Sequence, residues 1–217
     1  MCCCLNKVVQ AYACITFVCR KILHIKDTKK SRKEEKIIMN YGKIIYCDTA
    51  NGIGCRTVLF VSGCTHHCKG CFNDMAWPFG YGKEYTKETE NKILESLKPD
   101  YIKGLSILGG EPMEPENQAE VWNLIKRVRK ELPKKDIWVY SGYLWEELTG
   151  KEKARCRQGM ADRIRLDNIL QNIDVLVDGE FQEDKKNIML EFRGSENQRV
   201  IDVKKTLETG EVVLLKL

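Results

Sequence analysis

The run Leu105-Ser106-Ile107-Leu108-Gly109-Gly110-Glu111-Pro112 decides the fold, because it is a short apolar segment that stops at two glycines. It reads as a strand whose end lets a ligand lie close against backbone groups, since glycine puts no side chain in the way. In α/β proteins that carboxyl edge is where ligands bind. Taken alone, Gly-Gly-Glu-Pro is more often a plain strand-to-helix turn.

Working outward from this strand, the pattern alternates. Lys87–Leu97 is helical, with Thr86 as its N-cap and charged residues in its first turn. Glu116–Lys130 carries Val121, Leu124, Ile125 and Val128 at helical spacing. Its late Lys126, Arg127, Arg129 and Lys130 suit the negative end of a helix dipole. Strand-like runs fall at Lys43–Cys47, Thr57–Val61, Gly104–Leu108, Ile137–Tyr140 and Val175–Val177, and further helical patterns at Leu144–Leu148 and Ala161–Gln171. Such alternation predicts an α/β fold with a largely parallel sheet covered by helices. Residues 39–217 suit one domain. They are too few for a complete eight-unit barrel, which needs about 250 residues. The tail, Arg199–Val203 and Val212–Leu215 around Thr209-Gly210, is predicted to be a closing hairpin.

Upstream, Gly63-Cys64-Thr65-His66-His67-Cys68-Lys69-Gly70-Cys71-Phe72 spaces three cysteines as C-x3-C-x2-C. A four-iron cubane ordinarily takes four protein thiolates, so three cysteines leave one iron open. An open position separates a catalytic metal site from a closed structural one. Zinc is the competing reading, with His66, His67 or Cys55 as fourth ligand. Structural zinc sites usually pair two knuckles at a distance, and after Cys71 only Cys156 remains. Disulfides are a poor reading: the 11 cysteines are odd in number and nothing signals export.

Charge divides the chain. The net charge of +5 suggests a weakly basic protein, yet residues 1–38 hold nine Lys/Arg against three acids. The remaining 27 basic and 28 acidic residues nearly cancel, so no nucleic-acid partner is expected. Residues 1–38 also carry Cys2, Cys3, Cys4, Cys14 and Cys19. Their apolar stretch, Val8–Cys19, is 12 residues long, short of the about 20 that span a membrane. Its basic cluster follows the apolar run, whereas a signal peptide places charge before it. No membrane association is expected, and residues 1–38 read as an atypical extension, disordered or a start-site artefact, with translation beginning at Met39. A redox or membrane-docking tail is the other reading.

Together, the cysteine loop and the Gly-Gly-Glu-Pro run resemble the radical S-adenosylmethionine superfamily. The approach Asp48-Thr49-Ala50-Asn51-Gly52-Ile53-Gly54-Cys55-Arg56-Thr57-Val58-Leu59-Phe60-Val61-Ser62-Gly63-Cys64 is similar to that of glycyl-radical-enzyme activases. Ile53 stands where the family often has proline, which changes loop stiffness more than chemistry. Lys135–Tyr143, Asp174–Phe181 and Arg193–Arg199 resemble one branch, the activating proteins of anaerobic ribonucleoside-triphosphate reductase. The similarity runs from about Met39 to near the C-terminus.

This resemblance implies a partial, open (β/α) barrel and a [4Fe-4S] cluster held by Cys64, Cys68 and Cys71. The open iron would chelate the amino and carboxylate groups of S-adenosyl-L-methionine. Gly70, Cys71 and Phe72 would lie along that cofactor, with Gly109, Gly110 and Glu111 completing the pocket. It further implies an oxidoreductase that cleaves S-adenosylmethionine reductively to a 5′-deoxyadenosyl radical. That radical would take a hydrogen atom from a glycine of the large reductase subunit. A low-potential donor such as a flavodoxin and a cytoplasmic location follow from the same resemblance. The alternatives are an activase of pyruvate formate-lyase, a small-molecule enzyme such as a deazaguanine synthase, and a zinc-binding interaction module.

Other residues read more plainly. His66 and His67 are expected as solvated loop residues, Cys47 and Cys55 as small strand or loop residues, and Cys156 as exposed. Trp122 and Trp138 are expected in the core. Arg193, Asn197 and Gln198 fit a partner-docking face and local hydrogen bonding equally well.

Overall fold

The strand that ends in Gly109-Gly110 lies at the centre of the sheet. In the computed structural model, which describes residues 39–153 and 160–217, β4 (Ile102–Gly109) is parallel to β2 (Cys55–Val61) on one side and β5 (Asp136–Tyr140) on the other. β6 (Val175–Asp178) extends this parallel centre. The edges are antiparallel: β1 (Asn40–Asp48) beside β2, β3 (Lys83–Glu84) beside β1, and β7 (Arg199–Asp202) beside β6. One seven-stranded mixed sheet results, in the order β3-β1-β2-β4-β5-β6-β7. The expected parallel pairing therefore holds at the centre only. The expectations for residues 1–38 and for Cys156 lie outside the described residues.

The described residues form five α-helices: α1 (Lys87–Leu97), α2 (Pro115–Glu131), α3 (Trp145–Thr149), α4 (Met160–Gln171) and α5 (Val203–Thr209). Thr86 caps α1, its side-chain oxygen accepting from Thr89 N at 3.3 Å. Pro115 opens α2, where its missing N–H costs nothing. All five helices bury apolar side chains in one cluster, among them Ile93, Leu124, Leu148, Leu170 and Val203, against Leu59, Leu105, Ile137 and Leu176 of the strands. Each such Leu or Ile contributes about 1.5–3 kcal/mol when fully buried. Among the described residues no helix is long and apolar enough to cross a membrane.

The opposite face of the sheet is different. It holds two small clusters, Val58, Phe60 and Leu108 in one and Trp138, Val175, Val177 and Val200 in the other. Phe192 and Leu215 cover the second cluster. Arg56 is wholly buried on β2, 2.5 Å from Asp136 Oδ1, with Ser106 Oγ at 2.8 Å and Leu105 O at 2.9 Å as acceptors.

Two expectations are corrected here. The tail is not a simple hairpin, because α5 stands where a turn is predicted. Asp202 caps this helix by accepting from Lys205 N at 3.1 Å, and Gly210 ends it at φ 78°. The two strand-like runs do pair antiparallel as expected, with Ile201 opposite Leu214, Asp202 N donating to Val213 O (2.9 Å) and Leu215 N to Val200 O (2.8 Å). Cys47 and Cys55 are strand residues as expected, in β1 and β2, but the reading without disulfides is corrected: the two are joined in one, Cα–Cα 5.4 Å. The β1–β2 hairpin sets Asp48 opposite Arg56 and so brings the two cysteines together.

Candidate cluster and cofactor site

The cysteine loop begins where β2 ends, at the carboxyl edge of the parallel centre. Backbone bonds join it to its surroundings: Gly63 N donates to Ala76 O (2.8 Å) and Cys64 N to Trp77 O (3.0 Å). The turn after β4 docks directly on it, with Gly110 N donating to Val61 O and Glu111 N to Gly63 O, both at 2.7 Å. A methyl group on Gly110 would come within 2.4 Å of Gly63 O, and Gly109 sits at φ 120°. The two glycines are therefore required for loop and turn to touch.

Cys64, Cys68 and Cys71 are free thiols. All three line one open cleft of about 640 Å³, together with Phe72, Gly109, Gly110 and Glu111. Every site residue expected from sequence lines it except Gly70, which lines an adjoining cavity of about 1040 Å³ that also reaches Cys71 and Phe72. Phe72 is 82% exposed. Among the described residues no three His, Cys, Asp or Glu side chains gather tightly enough to hold one metal ion. The thiolates of a four-iron cluster bind separate irons and need no such convergence.

Electrostatics around the thiols are acidic. Burial first, and the Glu111 carboxylate second, push Cys64 up to about 12. Burial and Glu180 raise Cys68 in the same way. Burial thus favours the protonated form of Cys64 and Cys68 in the bare chain, and a bound metal would have to displace those protons. Glu114 is also raised, by burial, although Thr65 donates to it through N (2.9 Å) and Oγ1.

The Glu111 carboxylate, 1% exposed, faces inward. It accepts from Met113 N (2.8 Å), Ser141 Oγ (2.9 Å) and Gly142 N (2.6 Å). The expectation of a solvated His66 is corrected: its side chain is 3% exposed and lies between Glu111 and Glu180. Burial alone would lower its pKa, but these two carboxylates outweigh burial and raise it to about 9. His67 is exposed as expected and stacks on Trp77, centroids 4.5 Å apart.

Sequence reading passed over Ser141, Glu180 and the Arg56–Asp136 pair. Arg56 carried a signal, as a charge inside an otherwise apolar strand; Ser141 and Glu180 carried none, because only the sheet brings their strand ends together. Trp138 is buried as expected, and Trp122 is partly buried against the helical core. Arg193, Asn197 and Gln198 are engaged in the loop that follows β6. Arg193 Nη1 donates to Gln198 O (2.7 Å), Gln198 Nε2 to Gly179 O (2.9 Å) and Asn197 Nδ2 to Glu180 O (2.8 Å). Of their two readings, local hydrogen bonding is what these contacts display.

Residues 50–201 match the family described as 4Fe-4S single cluster domain. An anaerobic ribonucleoside-triphosphate reductase-activating protein from Vibrio cholerae is 44% identical over 162 residues, covering 74% of this chain and 96% of that protein. The protein of the same name from Escherichia coli K12 is 40% identical, covering 75% of this chain and 97% of its own length. That of Enterobacteria phage T4 is 38% identical, with 75% and 93% covered. The chain belongs to the family of anaerobic ribonucleoside-triphosphate reductase-activating proteins, built on a single 4Fe-4S cluster domain.

Proposed function

We propose that this chain is the activase of an anaerobic ribonucleoside-triphosphate reductase, holding one [4Fe-4S] cluster through Cys64, Cys68 and Cys71 and using S-adenosylmethionine to place a glycyl radical on the large reductase subunit. The observation that carries the reading is one cleft lined by three free thiols and by the Gly109–Gly110 turn. The residues fit the cluster: the thiols are soft ligands, none is tied up in a disulfide, and they lie on one short loop. When bound, the cluster supplies a low-potential electron to the sulfonium of S-adenosylmethionine, and the radical chemistry belongs to those cofactors.

The chain's own part is to bind, orient and exclude water. The glycine turn offers close backbone approach at the sheet edge, where α/β folds bind ligands. Gly70 and Phe72 flank Cys71, and the exposed Phe72 ring is free to cover a ligand in either cavity. The helix layer on one face, with the cleft at the strand ends, supports a partial, open barrel. A flavodoxin-like electron donor and a cytoplasmic location complete the proposal.

The test is anaerobic reconstitution of the protein with iron and sulfide, reduction, and addition of S-adenosylmethionine with the reductase subunit. A glycyl radical on that subunit in electron paramagnetic resonance, and none on pyruvate formate-lyase, is the expected result. Cofactor cleavage without a radical on the reductase would overturn the partner assignment. A colourless protein that takes up zinc and no iron would overturn the activase reading.

A further inference from the structure

One side chain ties the cysteine loop to the far wall of the cleft. His66 lies between Cys64 and Cys68 in sequence, yet its imidazole reaches across to the ends of three neighbouring strands. Nδ1 is 2.8 Å from Glu180 Oε1, beyond the end of β6. Nε2 is 3.3 Å from Glu111 Oε2, beyond the end of β4, at ion-pair distance but without hydrogen-bond alignment. The ring meets Tyr143 edge-on with centroids 4.3 Å apart. Gly142, after β5, is fitted to it: a methyl there would stand 2.8 Å from the ring.

Such an arrangement is a costly way to fill space. Three ionisable groups are largely withdrawn from water, where an apolar side chain of similar volume would serve packing as well or better. The loop already has separate anchors on its outer side, Thr65 on Glu114 and His67 on Trp77. The Gly110 and Glu111 amides already fix the root of the loop at Val61 and Gly63; what His66 adds is a second tie, from the middle of the loop between Cys64 and Cys68 to Glu111 and Glu180 across the cleft.

Resting on the reading above, we propose that His66 is a positioning residue that sets the span between the cysteine loop and the glycine turn, and with it the fit of S-adenosylmethionine between them. By holding the Glu111 carboxylate inward with Ser141 and Gly142, it leaves the turn's backbone, rather than that carboxylate, to meet the cofactor.

The experiment compares wild type with His66→Ala, His66→Gln and Glu180→Gln, each reconstituted with its cluster. Iron per chain and the thermal midpoint report on folding. The S-adenosylmethionine concentration that half-converts the reduced cluster's paramagnetic signal, and the KM and kcat of cofactor cleavage, report on positioning. Losing one charge-assisted contact predicts a rise in half-saturation of about tenfold in His66→Ala, at wild-type iron content and with kcat changed less than about twofold. Partial recovery is expected in His66→Gln, and a smaller rise, about threefold, in Glu180→Gln. Unchanged half-saturation in variants with full iron overturns the proposal. If His66→Ala fails to fold or to hold iron, Glu180→Gln decides, because it preserves size, and an unchanged half-saturation there overturns it. If wild type with a full cluster shows no response to S-adenosylmethionine, the activase reading fails instead. Amide exchange of residues 65–72 in the cluster-free protein then judges the clamp: faster exchange in His66→Ala supports it, and equal exchange overturns it.

Discussion

The two faces of the sheet are built from the same strands and do opposite work. On the helix-covered face, alternate residues such as Leu59, Leu105, Ile107, Ile137 and Val139 meet five helices in one continuous apolar cluster. On the other, Val58, Phe60 and Leu108 form a small cluster beside a buried Arg56, and the strand ends open into the cleft. Area removed from water accumulates on the first face, and polar groups with individual partners accumulate on the second. Stability is thus spread over many similar contacts on one side, while the side that the proposed chemistry would use rests on a few individually partnered groups.

That contrast is open to attack from both sides. The largest effect is expected from Cys68→Ala, which should abolish cofactor cleavage and radical formation while moving unfolding stability by less than about 1 kcal/mol. Denaturant unfolding beside an activity assay checks it, and a collapse of the fold would mean that the open face is structural after all. Next is Arg56→Met. Removing this guanidinium strands Asp136 and leaves the Ser106 and Leu105 acceptors unpaired, a loss of about 4 kcal/mol. A similar cost from an apolar substitution on the same face would dissolve the distinction.

Leu124→Ala, at a fully buried position of α2, should cost about 3 kcal/mol through the cavity it leaves, with S-adenosylmethionine half-saturation unchanged. A shift in that half-saturation would show the two faces to be coupled. The smallest effect concerns the rim of the helical layer. Asp174 accepts from Arg129 Nη2 (2.5 Å) and Ile137 N (2.7 Å) and pairs with Lys204 (2.5 Å), joining α2, β5 and α5. Burial alone would raise its pKa, but Lys204, Arg129 and the amide lower it overall. A lowered carboxylate stabilises the fold above its unfolded pKa of about 3.9 and loses that contribution as pH falls through the lower folded value. Asp174→Asn should therefore cost about 2 kcal/mol at pH 7 and flatten the acid limb of a stability–pH curve. An unaltered limb would place the acid sensitivity elsewhere.

Much of this was legible in the chain. The helix at Lys87–Leu97 was readable with its cap, because caps and apolar spacing act within a few residues. The central strands and the cysteine spacing were readable for the same reason, and Gly109 and Gly110 do border an open cleft. Legibility failed where partners come from distant parts of the chain. The tail was expected as a hairpin because its strand-like runs are obvious, while the Asp202 cap and the buried Val203 and Thr206 that favour α5 depend on what packs beneath them. The Cys47–Cys55 disulfide was not expected, because sequence does not show the hairpin register that joins the two.

The sequence by itself determined the α/β order of elements, the family and the three thiols, since each is written in local spacing and residue type. Only the tertiary structure decided that the sheet has antiparallel edges, that Arg56 is buried against Asp136, and that His66 spans Glu111 and Glu180. The reason is physical: a charged side chain is buried or solvated according to the partners that folding brings to it, and those partners lie 80, 45 and 114 residues away.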